Sequence, residues 1–326
     1  MLNPKLKLNP KLFDKKVEQL PTRNGYGEGL LELGDTHEDV VALCADLTES
    51  TRTEAFVKKF PNRFFEMGVA EQNLATVAAG LGISGKIPFI TSYATFSPGR
   101  NWEQIRTTIC YNNSNVKVVG CHTGLSVGPD GATHQALEDI ALMRVLPNMK
   151  VFVPCDMLEA KKITKAIADV YGPCYLRLTR EKTPVITTEK SPFTLGKGDI
   201  FWQSKNPKVA IFAAGPVIYE ALLAARDLEK EKIEVEVICL HSVKPLDHHL
   251  ILDSAKKVKG VVVVEEHQVA GGLGSAIAEL LAQSLPKPMK FIGIEDSFGE
   301  SGTPEELLLK YGISGERIKA AVKKLL

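Results

Sequence analysis

The sequence predicts an α/β protein made of two three-layer α/β/α domains, each built on a mainly parallel sheet. Short apolar, β-branched runs alternate with segments of helical period from end to end, and the runs are apolar on both faces. Strands of this kind, separated by helices, are typical of parallel sheets that are covered on both sides. The alternation is interrupted once, and 326 residues are enough for two domains with separate cores.

The first alternation ends near residue 190 and predicts a domain over residues 22–190. The preceding residues 1–21, in which LNPKL occurs twice, are expected to form an N-terminal surface arm. Within the domain, strands are predicted at 40–47, 86–92, 116–122, 149–154 and 174–178, and helices at 27–34, 69–82, 100–111, 135–143 and 156–170.

A passage rich in Pro, Gly, Lys and Thr follows Arg180 and predicts a linker over 191–207, with room for one hairpin. The second alternation predicts another domain over 208–326. Its strands are predicted at 208–215, 235–240, 260–266 and 290–296, and its helices at 217–230, 247–258, 272–284, 304–310 and 314–325.

The composition argues against several classes of function. A formal net charge of +1 is unsuited to a broad nucleic-acid or anionic-membrane surface. The six cysteines are scattered without a CxxC pair, which is typical of reduced, buried thiols in a cytoplasmic protein. The N-terminus does not have the pattern of a signal peptide, and no apolar run approaches the ~20 residues of a membrane span. We therefore expect a cytoplasmic protein with neither nucleic acid nor membrane as a partner.

One carboxylate lies on the apolar face of the helix predicted at 69–82. An isolated buried carboxylate is costly, so we expect apolar surroundings to raise the affinity of Glu71 for a proton. We also expect this burial to be completed only by a partner subunit. At 100° per residue, Glu71 falls in a stripe formed by Met67, Ala70, Leu74, Val77, Ala78 and Leu81.

Polar and aromatic side chains follow the predicted strands of the first domain. Because the carboxyl ends of parallel strands meet at one edge of a sheet, these residues are candidates for a ligand site. Each one alone is more often an ordinary loop residue. The candidates are Asp46, Ser50, Tyr93, Phe96, His122, Asp130, His134, Thr179 and Arg180.

Three common kinds of functional site do not fit the residue patterns in this sequence. His122 and His134 are not a helical i, i+4 pair and no cysteine lies in ligand register, so no metal ligand is predicted in this chain. GLSVG at 124–128 has the letters of a GxSxG motif, but Pro, Asp and Gly follow it instead of a helix, so no serine-hydrolase elbow is predicted. GGLGS at 271–275 lacks the GxGxxG spacing and predicts a tight turn with close helix packing.

Several longer stretches resemble the transketolase family. FFEMGVAEQNLATVAAGL, KIPFITSYATF and GLSVGPDGATHQALEDIALMRVLPNMKVFVPCD are similar to its pyrimidine-binding domain. AIFAAGPVIYEALLAA and VVVVEEHQVAGGLGSAIAELL are similar to its C-terminal domain. The resemblance covers nearly the whole chain from Thr22 onward, and GVAEQ and DGATHQ are specific at the level of the thiamine-enzyme superfamily.

The resemblance implies thiamine diphosphate as the cofactor, with Glu71 hydrogen-bonded to N1′ of its aminopyrimidine. It implies that Tyr93 and Phe96 stack on the pyrimidine ring and that Asp46 is a structural or cofactor-side acid. With Glu71, it makes His122 and His134 the catalytic candidates. The residues that it assigns to the sugar phosphate are Arg23, Ser50, His122 and Arg180, and those that it assigns to substrate hydroxyls and the reacting oxygen are Asp130 and His134.

The chain has no GDG motif with a downstream Asn, which in full-length transketolases holds the metal and the diphosphate. Residues 1–21 are too few for the missing domain. The resemblance therefore implies an N-terminal partner subunit, in an α2β2 assembly, that binds the diphosphate and Mg²⁺ or Ca²⁺. We expect this chain to be inactive alone and to act with that partner as a transferase of two-carbon ketol units between sugar phosphates.

Two alternatives stay open. The segment SYATFSPGR is closer to deoxyxylulose-phosphate synthases, and a split architecture also fits a 2-oxoacid dehydrogenase E1 β-like subunit. Arg23 and His122 favour transketolase over the dehydrogenase subunits. The other alternative is a non-catalytic chain that keeps the fold for dimerisation or regulation, although such a chain has no reason to retain the candidate residues together.

Overall fold

The computed structural model describes all residues 1–326 and contains two mainly parallel sheets, which confirms the predicted fold class. The elements of the first part of the chain are β1 (Gln19–Leu20), α1 (Thr22–Thr36), β2 (Val40–Cys44), α2 (Glu54–Lys59), β3 (Phe64–Glu66), α3 (Glu71–Ile83), β4 (Ile87–Tyr93), α4 (Trp102–Gln104), β5 (Lys117–Cys121), α5 (Asp139–Arg144), β6 (Lys150–Phe152), α6 (Met157–Ala168), β7 (Cys174–Arg177) and β8 (Thr183–Pro184).

The second part adds further strands and helices in alternation. They are β9 (Asp199–Trp202), β10 (Val209–Ala213), α7 (Ile218–Lys230), β11 (Val235–Cys239), β12 (Ser242–Lys244), α8 (His248–Lys257), β13 (Gly260–Gln268), α9 (Leu273–Ser284), β14 (Met289–Ile294), α10 (Pro304–Lys310) and α11 (Gly315–Lys323). None of the helices in either part combines the length and the apolar character that crossing a bilayer requires.

The first sheet has seven strands in the order β12-β6-β7-β5-β4-β2-β3. All neighbours are parallel except β12, which pairs antiparallel with β6. Strand β12 comes from the second half of the chain, so the two halves share a sheet. The buried central strands β2, β5 and β7 are covered on both faces, because helices pack on each side of the sheet.

The second sheet has five strands in the order β14-β13-β10-β11-β9, and only β9 is antiparallel. Strand β9 lies within the segment 191–207 that the composition predicted as a linker. An edge strand needs only one partner, so the short run DIFW forms it inside a Pro- and Gly-rich passage.

Several elements differ from the predictions. Helix α2 was not predicted, because six residues are too few to show a period. The helix predicted at 100–111 is a short α4 that continues into a π-helix over Ile105–Cys110. The helix predicted from residue 135 begins at Asp139.

The N-terminal residues lie along their own chain. Leu6 and Leu12 are buried in the apolar core of the second sheet, and β1 pairs antiparallel with β8. The terminal ammonium of Met1 donates a 3.0 Å hydrogen bond to Glu229. The expectation of a simple surface arm is therefore wrong for its leucines, which contribute to the core.

A buried polar network joins the two domains. Arg177 Nε donates to Asp139 Oδ2 at 2.8 Å, and its Nη2 donates to the Glu266 carbonyl at 2.9 Å. Tyr175 donates a third bond, at 2.7 Å, to the same Asp139 oxygen. All four residues are buried, so these bonds fix Glu266 of the second domain against β7 and α5 of the first.

Candidate active site

The carboxyl ends of the central strands of the first sheet open into a cleft of about 240 Å³. Helix α1, which begins at Thr22, brings a further guanidinium to the same edge. The cleft is lined by Arg23, Glu49, Ser50, Arg52, Tyr93, His122 and Arg180. Five of these were predicted from the sequence, and the structure brings all five together.

His122 is the most buried of the cleft residues. It follows β5 in a left-handed backbone conformation with φ of 56°, and it is 1% exposed. Its ring stacks on Tyr93 with centroids 3.7 Å apart, and its Nδ1 has no hydrogen-bond partner. Burial, with Arg23 and Arg180 nearby, lowers the pKa of His122 to about 3. The imidazole is therefore neutral at physiological pH and can present either a donor or an acceptor to a ligand.

An aromatic shelf extends from His122 along the floor of the site. Tyr93 stacks on Phe96 with centroids 5.9 Å apart and an interplanar angle of 22°. His134 meets the Phe96 ring edge-on at 5.5 Å, and its Nδ1 lies 2.9 Å from the Thr133 hydroxyl. The shelf, defined as Tyr93, Phe96, His122 and His134, offers flat apolar surface bordered by imidazole nitrogens.

Glu71 lies at the far end of this shelf. It is the first residue of α3 and is 1% exposed in the single chain. The expectation that its burial needs a partner subunit is therefore wrong. Its surroundings also differ from the expected apolar wall, because Arg100 Nη1 donates to Glu71 Oε2 at 2.6 Å. The Arg100 guanidinium lies over the Phe96 ring, 4.5 Å from its centroid.

The cleft concentrates positive charge. Arg23 Nη1 donates to the Ser50 carbonyl at 2.6 Å, and Arg180 Nη1 donates to the Val127 carbonyl at 3.0 Å. Burial and the neighbouring guanidinium of Arg52 lower the pKa of Arg23. Like charges held this close are stabilised by an anion, and guanidinium groups suit a phosphate dianion.

The two predicted aspartates occupy different places. Asp130 Oδ1 lies 3.9 Å from Arg180 Nη2 at the rim of the cleft. Asp46 is exposed and does not line the cleft. Its backbone has a φ of 58°, and its N–H donates to Glu66 Oε1 at 2.7 Å. The structure therefore brings Asp130 to the other candidates but leaves the Asp46 side chain apart.

Sequence reasoning missed two arginines of the site. Arg52 lies two residues after Ser50 in ESTRTE, and Arg100 lies four residues after Phe96 in SPGRN. The available signal was their position, because each arginine closely follows a residue that was already a candidate for the site. Their side chains are long, so only the folded backbone decides whether they turn toward the site.

Residues 18–185 match the family described as transketolase, pyrimidine binding domain, and residues 198–318 match transketolase, C-terminal domain. This chain belongs to the transketolase family. The resemblance seen in the sequence is thereby confirmed.

Relatives and solved structures agree with this assignment. A putative transketolase C-terminal section from Methanocaldococcus jannaschii is 46% identical, over 91% of this chain and 93% of its own length. The 6-deoxy-6-sulfo-D-fructose transketolase subunit SqwH of Clostridium sp. is 38% identical, over 96% of this chain and 97% of its own length. A structure described as split gene transketolase, inactive beta4 tetramer is 47% identical with a TM-score of 0.87, over 94% of this chain and 98% of that one.

Single-chain members of the family are longer. Human transketolase is 35% identical, over 97% of this chain and 51% of its own length. The chain thus spans about half the length of the mammalian transketolases that it matches and nearly the whole length of the two relatives described as a section or a subunit.

Proposed function

We propose that this chain is the catalytic-half subunit of a two-subunit transketolase. It acts on a ketose phosphate and an aldose phosphate, between which a two-carbon ketol unit moves. The observation that carries the proposal is one continuous surface, which leads from the buried Glu71 along the aromatic shelf to the cleft lined by Arg23 and Arg180. A carboxylate at one end and an anion site at the other match a cofactor ring and a sugar phosphate.

The residues present fit the pyrimidine ring of thiamine diphosphate. Arg100 shows the fit, because its planar guanidinium stacks on Phe96 while it donates a hydrogen bond to Glu71. A pyrimidine ring bound at the position of the Arg100 guanidinium needs the same two features, an aromatic face to stack on and a carboxylate to hydrogen-bond. Thiamine diphosphate, when bound, supplies the carbanion chemistry that no side chain here provides.

With thiamine diphosphate bound, Glu71 would hold and share a proton with the ring nitrogen N1′ through its carboxylate. Its Oε2 accepts from Arg100, and no protein group donates to Oε1, so one carboxylate oxygen is free for that role. Tyr93 and Phe96 provide the stacking surface. The shelf also shields the reacting atoms from water on one side.

The cleft binds and orients the sugar phosphate. Arg23 and Arg180 present guanidinium groups to the phosphate, with Ser50 beside them. His122, held neutral, serves as a hydrogen-bond partner for substrate oxygens near the shelf. His134 and Asp130 border the opening and contact substrate hydroxyls and the reacting oxygen.

The diphosphate end of the cofactor is proposed to lie on a partner. We propose an N-terminal transketolase subunit that binds the diphosphate and a Mg²⁺ or Ca²⁺ ion, in an α2β2 assembly in the cytoplasm. The names of the relatives support this division, because one describes a C-terminal section and another a split gene.

The test is ketol transfer measured with this chain alone, with the N-terminal subunit alone, and with both. Activity is expected only in the mixture. Ketol transfer by the isolated chain overturns the two-subunit proposal, and a mixture that assembles without transferring supports a non-catalytic chain. Parallel reactions with a 6-sulfonated ketose, suggested by the name of the Clostridium relative, decide between phosphate and sulfonate as the recognised anion.

A further inference from the structure

A second cluster of reactive side chains lies away from the cleft, at the junction of the two sheets. Cys155 follows β6 and Glu159 lies in the first turn of α6, while Cys239 is the last residue of β11. One ligand atom from each of the three lies within 4.8 Å of the others. The two cysteines are far apart in sequence, so spacing alone did not reveal the cluster.

All three side chains are buried: Cys155 is 0%, Cys239 1% and Glu159 6% exposed. A histidine contacts the carboxylate of the cluster, because His241 Nδ1 lies 3.2 Å from Glu159 Oε1. The other carboxylate oxygen, Oε2, accepts the Cys155 backbone N–H at 2.6 Å. Glu159 is thus held in one orientation by two contacts, as outer-sphere partners hold a metal ligand.

The cluster also contains an unpartnered group. His241 is 1% exposed, and its Nε2 has no hydrogen-bond partner. The thiols of Cys155 and Cys239 are free, and their sulfur atoms lie within 4.8 Å of each other. Burial raises the pKa of both thiols above the ordinary value for cysteine. Without a cation, both thiols therefore keep their protons.

We propose that Cys155, Cys239 and Glu159 form a binding site for a thiophilic divalent cation such as zinc, with His241 as the neighbour that orients Glu159. Two sulfurs and one carboxylate are donors that zinc accepts, and three protein ligands leave a fourth tetrahedral position for water. Binding displaces the two thiol protons to solvent, and the cation then offsets the charge of two thiolates and a carboxylate.

The location gives the site a structural consequence. Cys155 and Glu159 belong to the first domain, whereas Cys239 and His241 belong to the second and immediately precede β12, the strand shared with the first sheet. A bound cation would tie the two domains together next to this shared strand. The expected effect is therefore on stability, independent of ketol transfer.

The first experiment measures metal content. The full chain, expressed in zinc-supplemented medium and purified with a reductant, is expected to carry about one zinc per chain by plasma mass spectrometry. Cys155→Ser and Cys239→Ser are expected to lose it. The matched control is Cys174→Ser, which changes another buried cysteine outside the cluster and is expected to retain the metal.

The second experiment is a cobalt titration, and its main readout comes from the unsubstituted chain, so that readout does not depend on whether the variants fold. Metal-free protein titrated with Co²⁺ is expected to develop the thiolate-to-cobalt charge-transfer band with one equivalent, and His241→Ala is expected to weaken binding about 10–100-fold. No such band, zinc content unaffected by either serine variant, or a Cys155–Cys239 disulfide in place of metal each overturns the proposal.

Discussion

The two parallel sheets of this chain carry polar residues at the same edge, but they use them differently. In the first sheet, Tyr93 and His122 face a cleft that is open to a ligand. In the second sheet, Glu265 and Glu266 lie near the end of β13 and are buried. Glu265 accepts backbone N–H groups at the start of α9, at 2.7 and 2.8 Å, and Glu266 accepts the N–H of Ser126.

The difference lies in what covers each edge. The loop that follows β5 packs against Glu266, and the start of α9 packs against Glu265, so both carboxylates bond to backbone amides instead of ligands. Burial raises the pKa of both Glu265 and Glu266, which shows how far solvent is excluded. A polar residue at a strand end therefore indicates a binding site only where the edge stays open.

The largest expected effect comes from removing the carboxylate of Glu71, which lies at the end of the aromatic shelf of the first sheet. Glu71→Gln is expected to lower kcat of the reconstituted enzyme by roughly 10²–10⁴-fold, because an amide cannot exchange a proton with the ring nitrogen. Steady-state ketol transfer with the N-terminal subunit measures it. Glu103→Gln, an exposed glutamate near the same helix, is the control. Full activity of the enzyme that carries Glu71→Gln would contradict the proton-sharing role.

The next effect concerns the buried polar network that packs against the end of β13. Arg177→Met leaves Asp139 buried without its cation and is expected to lower the free energy of unfolding by about 3–5 kcal/mol. Urea unfolding followed by circular dichroism measures this change. Arg106→Met, at an exposed position, is expected to stay within about 0.5 kcal/mol. Equal midpoints for the two variants would mean that the network does not hold the domains together.

A smaller effect is expected at the anion end of the cleft. Arg180→Met removes a charged hydrogen bond worth about 1.5–3 kcal/mol, so KM for the sugar phosphate should rise roughly 10–150-fold. An unphosphorylated ketol donor provides the control, because its KM should hardly change. Arg52→Gln should act in the same direction but less, since Arg52 is exposed. A matching rise in KM for the unphosphorylated donor would place Arg180 in general substrate binding instead.

The last effect is a pH dependence, and within one pH unit it is smaller than the effects above. The pKa of His122 is about 3 in the folded chain and ~6.5 when unfolded. Between these values only the unfolded chain takes up the proton, so the free energy of unfolding falls as pH is lowered from about 6.5. The slope from this group approaches about 1.4 kcal/mol per pH unit. Urea titrations at neutral and mildly acidic pH should show a smaller loss for His122→Asn, and identical losses would contradict a buried neutral imidazole.

Much of the cleft at the carboxyl edge of the first sheet could be predicted from the sequence. Tyr93, His122 and Arg180 each follow a strand whose apolar character is evident from local composition. Because parallel strands end at a common edge, local pattern and this rule together predicted that these residues meet. The helix that carries Glu71 was predicted in the same way, from its period.

Other features could not be read from local pattern. The Arg100–Glu71 ion pair joins residues 29 positions apart, and nothing in SPGRN indicates which way a long, flexible side chain turns. The antiparallel strands β9 and β12 are short edge strands whose partners are chosen by the assembled sheets. Prediction therefore fails where a contact depends on side-chain direction or on a distant partner.

The sequence by itself determined the alternation of strands and helices, the two-domain division of the chain and the identity of most cleft residues, because these follow from periods and positions that are local. Only the tertiary structure decided which strand ends stay open. It also decided that Glu71 is paired with a guanidinium and that Cys155 meets Cys239 and Glu159. The physical reason is that burial and charge pairing depend on what packs against a residue, and that is set by the whole fold.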